Sequence, residues 1–400
     1  MQNLTRKIIL QTEKWGAHNY SPLPVVLSRA RGVWVWDVEG KRYLDMLSCY
    51  SAVSQGHLHP KIVQTAQAQM KKLTLTSRAF YNDQLAKFFE KLCRLTGMEK
   101  ALPMNSGAEA VETALKLARK WGYLKKKVAK DRAEVIVCKD NFHGRTTTII
   151  SFSTNPQYRY GFGPYMPGFK IIPYNDIKAL KKAINRNTVG FLVEPIQGEG
   201  GINVPDPGYL RDSYKICKED KILFLDDEIQ TGLGRTGRLL CIDYENIKPD
   251  ILILGKALGG GLYPVSVILA KNNIMNVFKP GDHGSTFGGN PLAAAIALSA
   301  LDVITKERLS ENAARVGSYF INRLKEINSP VIREVRGKGL LIGIEINKKY
   351  GRARDYCEKL LHLRILTKET HESVIRFAPP LIIKRAEIDW AMERIRKVFA

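Results

Sequence analysis

Five short and almost unbroken apolar runs mark the middle of the chain, at residues 133–138, 190–193, 222–225, 251–254 and 265–269. A strand wetted on one face alternates apolar and polar residues. Runs without that alternation predict strands buried on both faces of a mainly parallel sheet. Between them, Ala110, Val111, Ala114, Leu115 and Ala118 recur at helical spacing and predict an amphipathic helix. Strands alternating with helices define an α/β fold class. The strand pattern fades near residue 290. A long helical stretch follows from Leu292, then strand-like runs at 331–335 and 340–345, and helical patterning at 356–363 and 387–398. Alternation at 32–37 and 42–45 predicts a hairpin. The expected organisation is an N-terminal segment, 1–49, packing on the C-terminal part, a large domain, 50–291, and a smaller α+β domain, 292–400.

Composition narrows the class. Of 400 residues, 44% are hydrophobic and 25% charged, the mix of a well-packed globular protein. No run approaches the roughly 18 to 20 apolar residues that span a bilayer. Ile8-Ile9-Leu10 is too short for a secretory signal, so a cytoplasmic protein is expected. Lys and Arg number 62 against 39 Asp and Glu, a net charge of +23. The basic residues are spread along the chain rather than interleaved with aromatics. The densest group, Lys125-Lys126-Lys127 with Lys130, closes a helical pattern, where cations suit the C-terminal end. Anionic small substrates fit this charge better than nucleic acid does, and no membrane partner is expected. The six cysteines are scattered with no CxxC pair, which points to a reducing compartment and to no zinc site. His57-Leu58-His59 reads as a loop before Pro60, so no metal is expected.

In an open parallel sheet, chemistry collects at the C-terminal ends of the strands. Asp226-Asp227-Glu228 directly follows one run and Lys256 another, the latter succeeded by Gly259-Gly260-Gly261. The acids suit either a solvated turn or a buried site. A strand-end lysine held in a desolvated pocket loses its proton more easily and becomes a Schiff-base nucleophile. An acid and a lysine at neighbouring strand ends are what pyridoxal phosphate needs, one for its ring nitrogen and one for its aldehyde. Ser106 and Gly107 open the amphipathic helix, as an ordinary cap or as a phosphate site. A second candidate is Ser285-Thr286 among glycines. Gly232-Leu233-Gly234-Arg235-Thr236-Gly237 matches a dinucleotide fingerprint in letters only, since it neither follows its strand directly nor opens a helix.

Together, stretches 225–232, 254–261, 284–291, 193–199 and 141–146 resemble the signatures of class III pyridoxal-phosphate aminotransferases, over essentially the whole chain. The resemblance implies the fold-type-I architecture, with a seven-stranded-type, mainly parallel sheet in the large domain. It also implies a homodimer with active sites at the interface. Pyridoxal 5'-phosphate is the implied cofactor, anchored by Lys256, with Asp227 at the pyridine nitrogen, Gln230 at the phenolic oxygen and Phe142 stacked on the ring. The backbone of Gly107 and Ala108, with Thr286 from the second subunit, would hold the phosphate.

Within the class, stretches 16–24, 47–53, 73–81, 370–371 and 375–380 resemble the branch that acts on the δ-amine of ornithine. L-Ornithine and 2-oxoglutarate are then the implied substrates. Tyr20 and Tyr50 would position ornithine, Arg376 would bind the carboxylate of the 2-oxoacid, and Arg145 would clamp its far carboxylate. Glu199 would mask Arg376 while ornithine is bound, because a bare guanidinium would favour the α-carboxylate and select the wrong amine. The motif around Phe142 and His143 also occurs in acetylornithine and GABA aminotransferases, so it does not separate these activities. His143 stands where animal ornithine enzymes carry tryptophan, and Asp226 where many relatives have a small residue. The rival readings are an acetylornithine or other ω-amino-acid aminotransferase, and a basic binding protein that keeps the fold without turnover.

Overall fold

A computed structural model of the protein describes residues 3–399. Strands β1 (Leu27–Arg31), β2 (Trp34–Asp37) and β3 (Arg42–Asp45) form an antiparallel meander. The central sheet has seven strands: β4 (Lys100–Met104), β5 (Glu134–Cys138), β6 (Phe169–Ile172), β7 (Thr188–Val193), β8 (Leu223–Asp227), β9 (Ile251–Leu254) and β10 (Ser266–Ala270). Their order is β4-β10-β9-β8-β7-β5-β6, and β10 alone runs against the others.

The apolar runs correspond to β5, β7, β8, β9 and β10. The two strands that the pattern does not predict, β4 and β6, are the two edges of the sheet. Edge strands are covered less completely, so they lack an unbroken run, and β4 also holds Pro103, which an edge tolerates. Inner strands feed two cores. Ile136, Phe191, Phe224, Leu252 and Val267 enter one, and Val135, Leu192, Leu225, Ile253 and Ile268 the other. Each such side chain contributes about 1.5–3 kcal/mol of burial.

The predicted amphipathic helix spans Gly107–Trp121 and lays Ala110, Val111, Ala114, Leu115 and Ala118 on the second core. Its expected lysine-rich close is a π-helical turn, Gly122–Lys126, in which Lys126 donates to the Thr188 carbonyl at 2.8 Å. Gly122 is required there, since a Cβ would lie 2.2 Å from Val189 Cγ1.

Beyond residue 290 come the helices Pro291–Lys306 and Leu309–Lys325. They lead into β11 (Ile332–Lys338) and β12 (Leu341–Ile346). After the helix Ala353–His362 the chain adds β13 (Ile365–Leu366), β14 (Lys368–Thr370) and β15 (Val374–Phe377), and ends in the helix Arg385–Phe399. β11, β12, β15 and β14 form the second four-stranded sheet, while β13 pairs parallel with β3, so the N-terminal meander and the C-terminal part share a sheet. No described helix is long and apolar enough to cross a membrane.

Candidate active site

Five strand ends of the central sheet converge on one cavity of about 200 Å³. Gly107 and Ala108 follow β4, Phe142 and His143 follow β5, and Glu194 follows β7. Asp227 ends β8, and Lys256 lies just after β9. Ser106 caps the first helix turn, accepting from the Glu109 amide at 3.2 Å while the Glu109 carboxylate accepts from the Ser106 amide at 2.6 Å. This capping box leaves the Gly107 and Ala108 amides without an acceptor among the described residues.

Alternation along β8 sends Asp227 to the cavity and its neighbours elsewhere. Glu228 accepts from the Thr231 hydroxyl and, at 2.7 Å, from the Ile242 amide. Asp226 is fully buried, and neither of its carboxyl oxygens has a hydrogen-bond partner. Burial and the adjacent Glu228 push its pKa well above the usual carboxyl range, which favours the neutral form. The acids therefore form no solvated turn. The buried His143 ring lies behind Asp227, with Nδ1 2.6 Å from Asp227 Oδ2, and the Ile229 amide donates to Oδ1 at 3.1 Å. Asn141 orients this loop by donating to the Cys138 and Phe152 carbonyls.

Burial lowers the pKa of Lys256 to about 8; Arg376 adds to this and Glu199 opposes it. Burial and Asp227 push Glu194 the other way, well above the usual carboxyl range. Across the cavity, Glu199 forms an ion pair with Arg376 and receives Gln230 Nε2 at 3.4 Å. Burial would raise the Glu199 carboxyl, but Arg376 and Lys256 outweigh it and hold Glu199 ionised. The Arg376 guanidinium lies 4.7 Å over the Tyr50 ring and keeps Nε and Nη2 without partners.

Tyr50 reaches that place through a strained segment. Ser48, Cys49, Tyr50 and Ser51 all have positive φ, between 43° and 76°, at about 1–2 kcal/mol per residue. Asp45 holds the segment by accepting from the Leu47 and Ser48 amides, and Ser48 donates to the Ala378 carbonyl at 2.6 Å.

Other expected residues stand apart from the cavity. Tyr20 is 60% exposed, although near enough to Tyr50 to affect its titration. Arg145 is exposed and stacks 4.6 Å over Tyr158. Thr286 lies on an exposed loop. Conversely, His143 and Glu194 line the cavity although sequence reasoning assigned them no role. Their positions inside motifs already singled out were the available signal.

The family description Aminotransferase class-III matches residues 15–399. The chain belongs to the class-III aminotransferases. It is 58% identical to an ornithine aminotransferase of Geobacillus sp. (strain WCH70), over 99% of both chains. An ornithine aminotransferase structure from Toxoplasma gondii superposes with a TM-score of 0.98 at 44% identity, covering 99% of this chain and 94% of that one. An acetylornithine aminotransferase structure from Elizabethkingia anophelis gives 0.90 at 50% identity, covering 99% and 98%. Class-III aminotransferases use pyridoxal phosphate, and the T. gondii structure is described as holding it at the active site. This protein is accordingly a pyridoxal-phosphate-dependent transaminase of the fold-type-I architecture.

Proposed function

We propose that the protein is an ornithine δ-aminotransferase. It would transfer the δ-amino group of L-ornithine to 2-oxoglutarate in a ping-pong cycle, giving glutamate and glutamate 5-semialdehyde, which cyclises to pyrroline-5-carboxylate. The observation that carries this reading is the Glu199–Arg376 pair beside Tyr50. An arginine whose charge is cancelled does not draw in the α-carboxylate of a diamino acid, which leaves the δ-amine free to approach.

The cavity fits the cofactor. The unengaged Gly107 and Ala108 amides at a helix N-terminus suit a phosphate, and Gln230 Oε1 is buried with no partner. A Cβ on Gly198 would lie 1.4 Å from that atom, so glycine there is what admits Gln230. Pyridoxal phosphate, when bound, supplies an aldehyde that takes up an amine and an electron-poor ring that accepts charge from the adjacent carbon. Asp227, backed by His143, would hold the ring nitrogen, Phe142 would cover the ring, and Gln230 would lie at the phenolic oxygen. Lys256, its pKa lowered to about 8, would anchor the cofactor and would move the proton at the ornithine δ-carbon. For the second half-reaction Arg376 leaves Glu199 and presents its free donors to the 2-oxoglutarate carboxylate, with Arg145 at the far end.

The same proposal includes a homodimer in which Thr286 serves the neighbouring subunit's phosphate. Exposed Phe80, Tyr81 and Phe287 support it, being large apolar side chains that a partner would cover. A cytoplasmic location belongs to it as well, supported by the free thiols of all six cysteines.

A second reading, acetylornithine aminotransferase, is supported by the E. anophelis likeness. The visible spectrum of the purified holoenzyme, with ornithine and no 2-oxoacid, separates the two. Loss of the cofactor band with a trapped pyrroline product is expected. A band indifferent to ornithine but bleached by acetylornithine would establish the second reading.

A further inference from the structure

The loop that carries Thr286 is tied to the helix Gly107–Trp121 and its approach at three nearby points. Asp282 forms an ion pair with Lys120, His283 sits against Thr113 and Lys116, and Ser285 accepts from Asn105 Nδ2 at 2.8 Å. The Thr113 hydroxyl proton is committed to the Glu109 carbonyl at 2.7 Å, so toward His283 Nε2, 2.8 Å away, Thr113 acts as an acceptor. The Lys116 ammonium has no lone pair and donates to Nδ1 at 2.9 Å. Both contacts require a neutral imidazole protonated at Nε2. The ring also lies flat on Phe278, with centroids 5.7 Å apart and planes 16° from parallel.

A proton on Nδ1 would abolish the Lys116 contact and set two cations against each other. The charged groups facing the ring are Lys116 and Glu109, both from the helix. The Asp282 carboxylate is engaged by Lys120 and the Lys279 amide. Burial first, then Lys116, lower the pKa of His283 below its usual value, against a smaller opposing effect of Glu109.

We propose that His283 is a positioning residue: as a neutral imidazole it locks the 282–286 loop onto the helix Gly107–Trp121 and thereby aims Thr286 at the cofactor phosphate of the neighbouring subunit. This rests on the dimer and on the role of Thr286 proposed above. The same helix offers its own N-terminus to a phosphate, so one rigid element sets both phosphate contacts.

The test is the affinity of the apo protein for pyridoxal phosphate, titrated by absorbance from about pH 5 to 8, with phosphate-free pyridoxal as control. Relative to His283→Gln, which still donates toward Thr113 but does not titrate, the wild type should lose about tenfold in affinity through a midpoint below about 6.5. Lys116→Met should move that midpoint upward, and pyridoxal should show no such difference. Comparison with the variant at each pH cancels the ionisation of the cofactor's own phosphate. Wild type and His283→Gln tracking each other, or an unmoved midpoint in Lys116→Met, would overturn the proposal. Thr286→Ala separates the levels. If it weakens pyridoxal phosphate while the His283 and Lys116 variants behave as wild type, only the role of His283 falls. If it leaves affinity unchanged, the assignment of Thr286 falls too, and the proposal with it.

Discussion

Two residues set the chemistry through charge alone. Lys256 loses its proton near pH 8 because burial penalises the ammonium, whereas an ordinary lysine does so near 10.4. A depressed pKa means that the reactive neutral amine accumulates as pH rises through about 8. Stopped-flow absorbance should therefore show apo protein combining with pyridoxal phosphate faster up to about that pH and levelling off beyond it; a midpoint above 10 would refute the desolvated pocket. Glu199 acts on Arg376. Glu199→Gln cancels the masking charge, so kcat/KM for ornithine should fall relative to an α-amino donor such as glutamate, by about 10- to 100-fold. Equal losses for both donors would argue against masking as the source of δ-selectivity.

At the scale of elements, the site depends on loops fastened from far along the chain. Arg235, inside the glycine-rich stretch that imitates a dinucleotide fingerprint, is fully buried. It donates to the Leu340 and Pro379 carbonyls and to the Ser48 and Ser54 hydroxyls, at 2.6–3.2 Å. The stretch is thus a clamp that ties the loop after β8 to the strained segment bearing Tyr50. Arg235→Leu should lower stability by about 3 kcal/mol, because buried carbonyls lose charge-assisted donors; thermal melting of the holoenzyme checks this, and an unchanged transition would show the clamp to be dispensable. Gly198→Ala probes the opposite wall. Its Cβ must displace Gln230, so the visible band of the bound cofactor should shift with little change in melting temperature. An unaltered spectrum would mean that Gln230 does not face the phenolic oxygen.

Over the whole molecule, the charge of +23 is a long-range field rather than a fold determinant. It should draw in anionic 2-oxoglutarate, so kcat/KM for that substrate should fall as salt is raised and the Debye length shrinks from about 30 Å at 0.01 M to about 8 Å at 0.15 M. A flat dependence would confine the charge to solubility.

Much of this was legible in the residues alone. Strands buried on both faces must be apolar throughout, so β5, β7, β8, β9 and β10 announce themselves, and Asp227 and Lys256 stand out because they end such runs. The cap at Ser106 is equally local, since its partners lie within three residues. Edge strands β4 and β6 escaped because half-covered strands face no such compositional demand. Only the tertiary structure decided that His143 stands behind Asp227, 84 positions away, and that Asp226 is buried without a partner. It alone shows how Arg235 and four left-handed residues hold Tyr50 under Arg376. Period and capping are properties of neighbours in sequence, whereas charge pairing and strain are settled by chain segments that meet only once the sheet has formed.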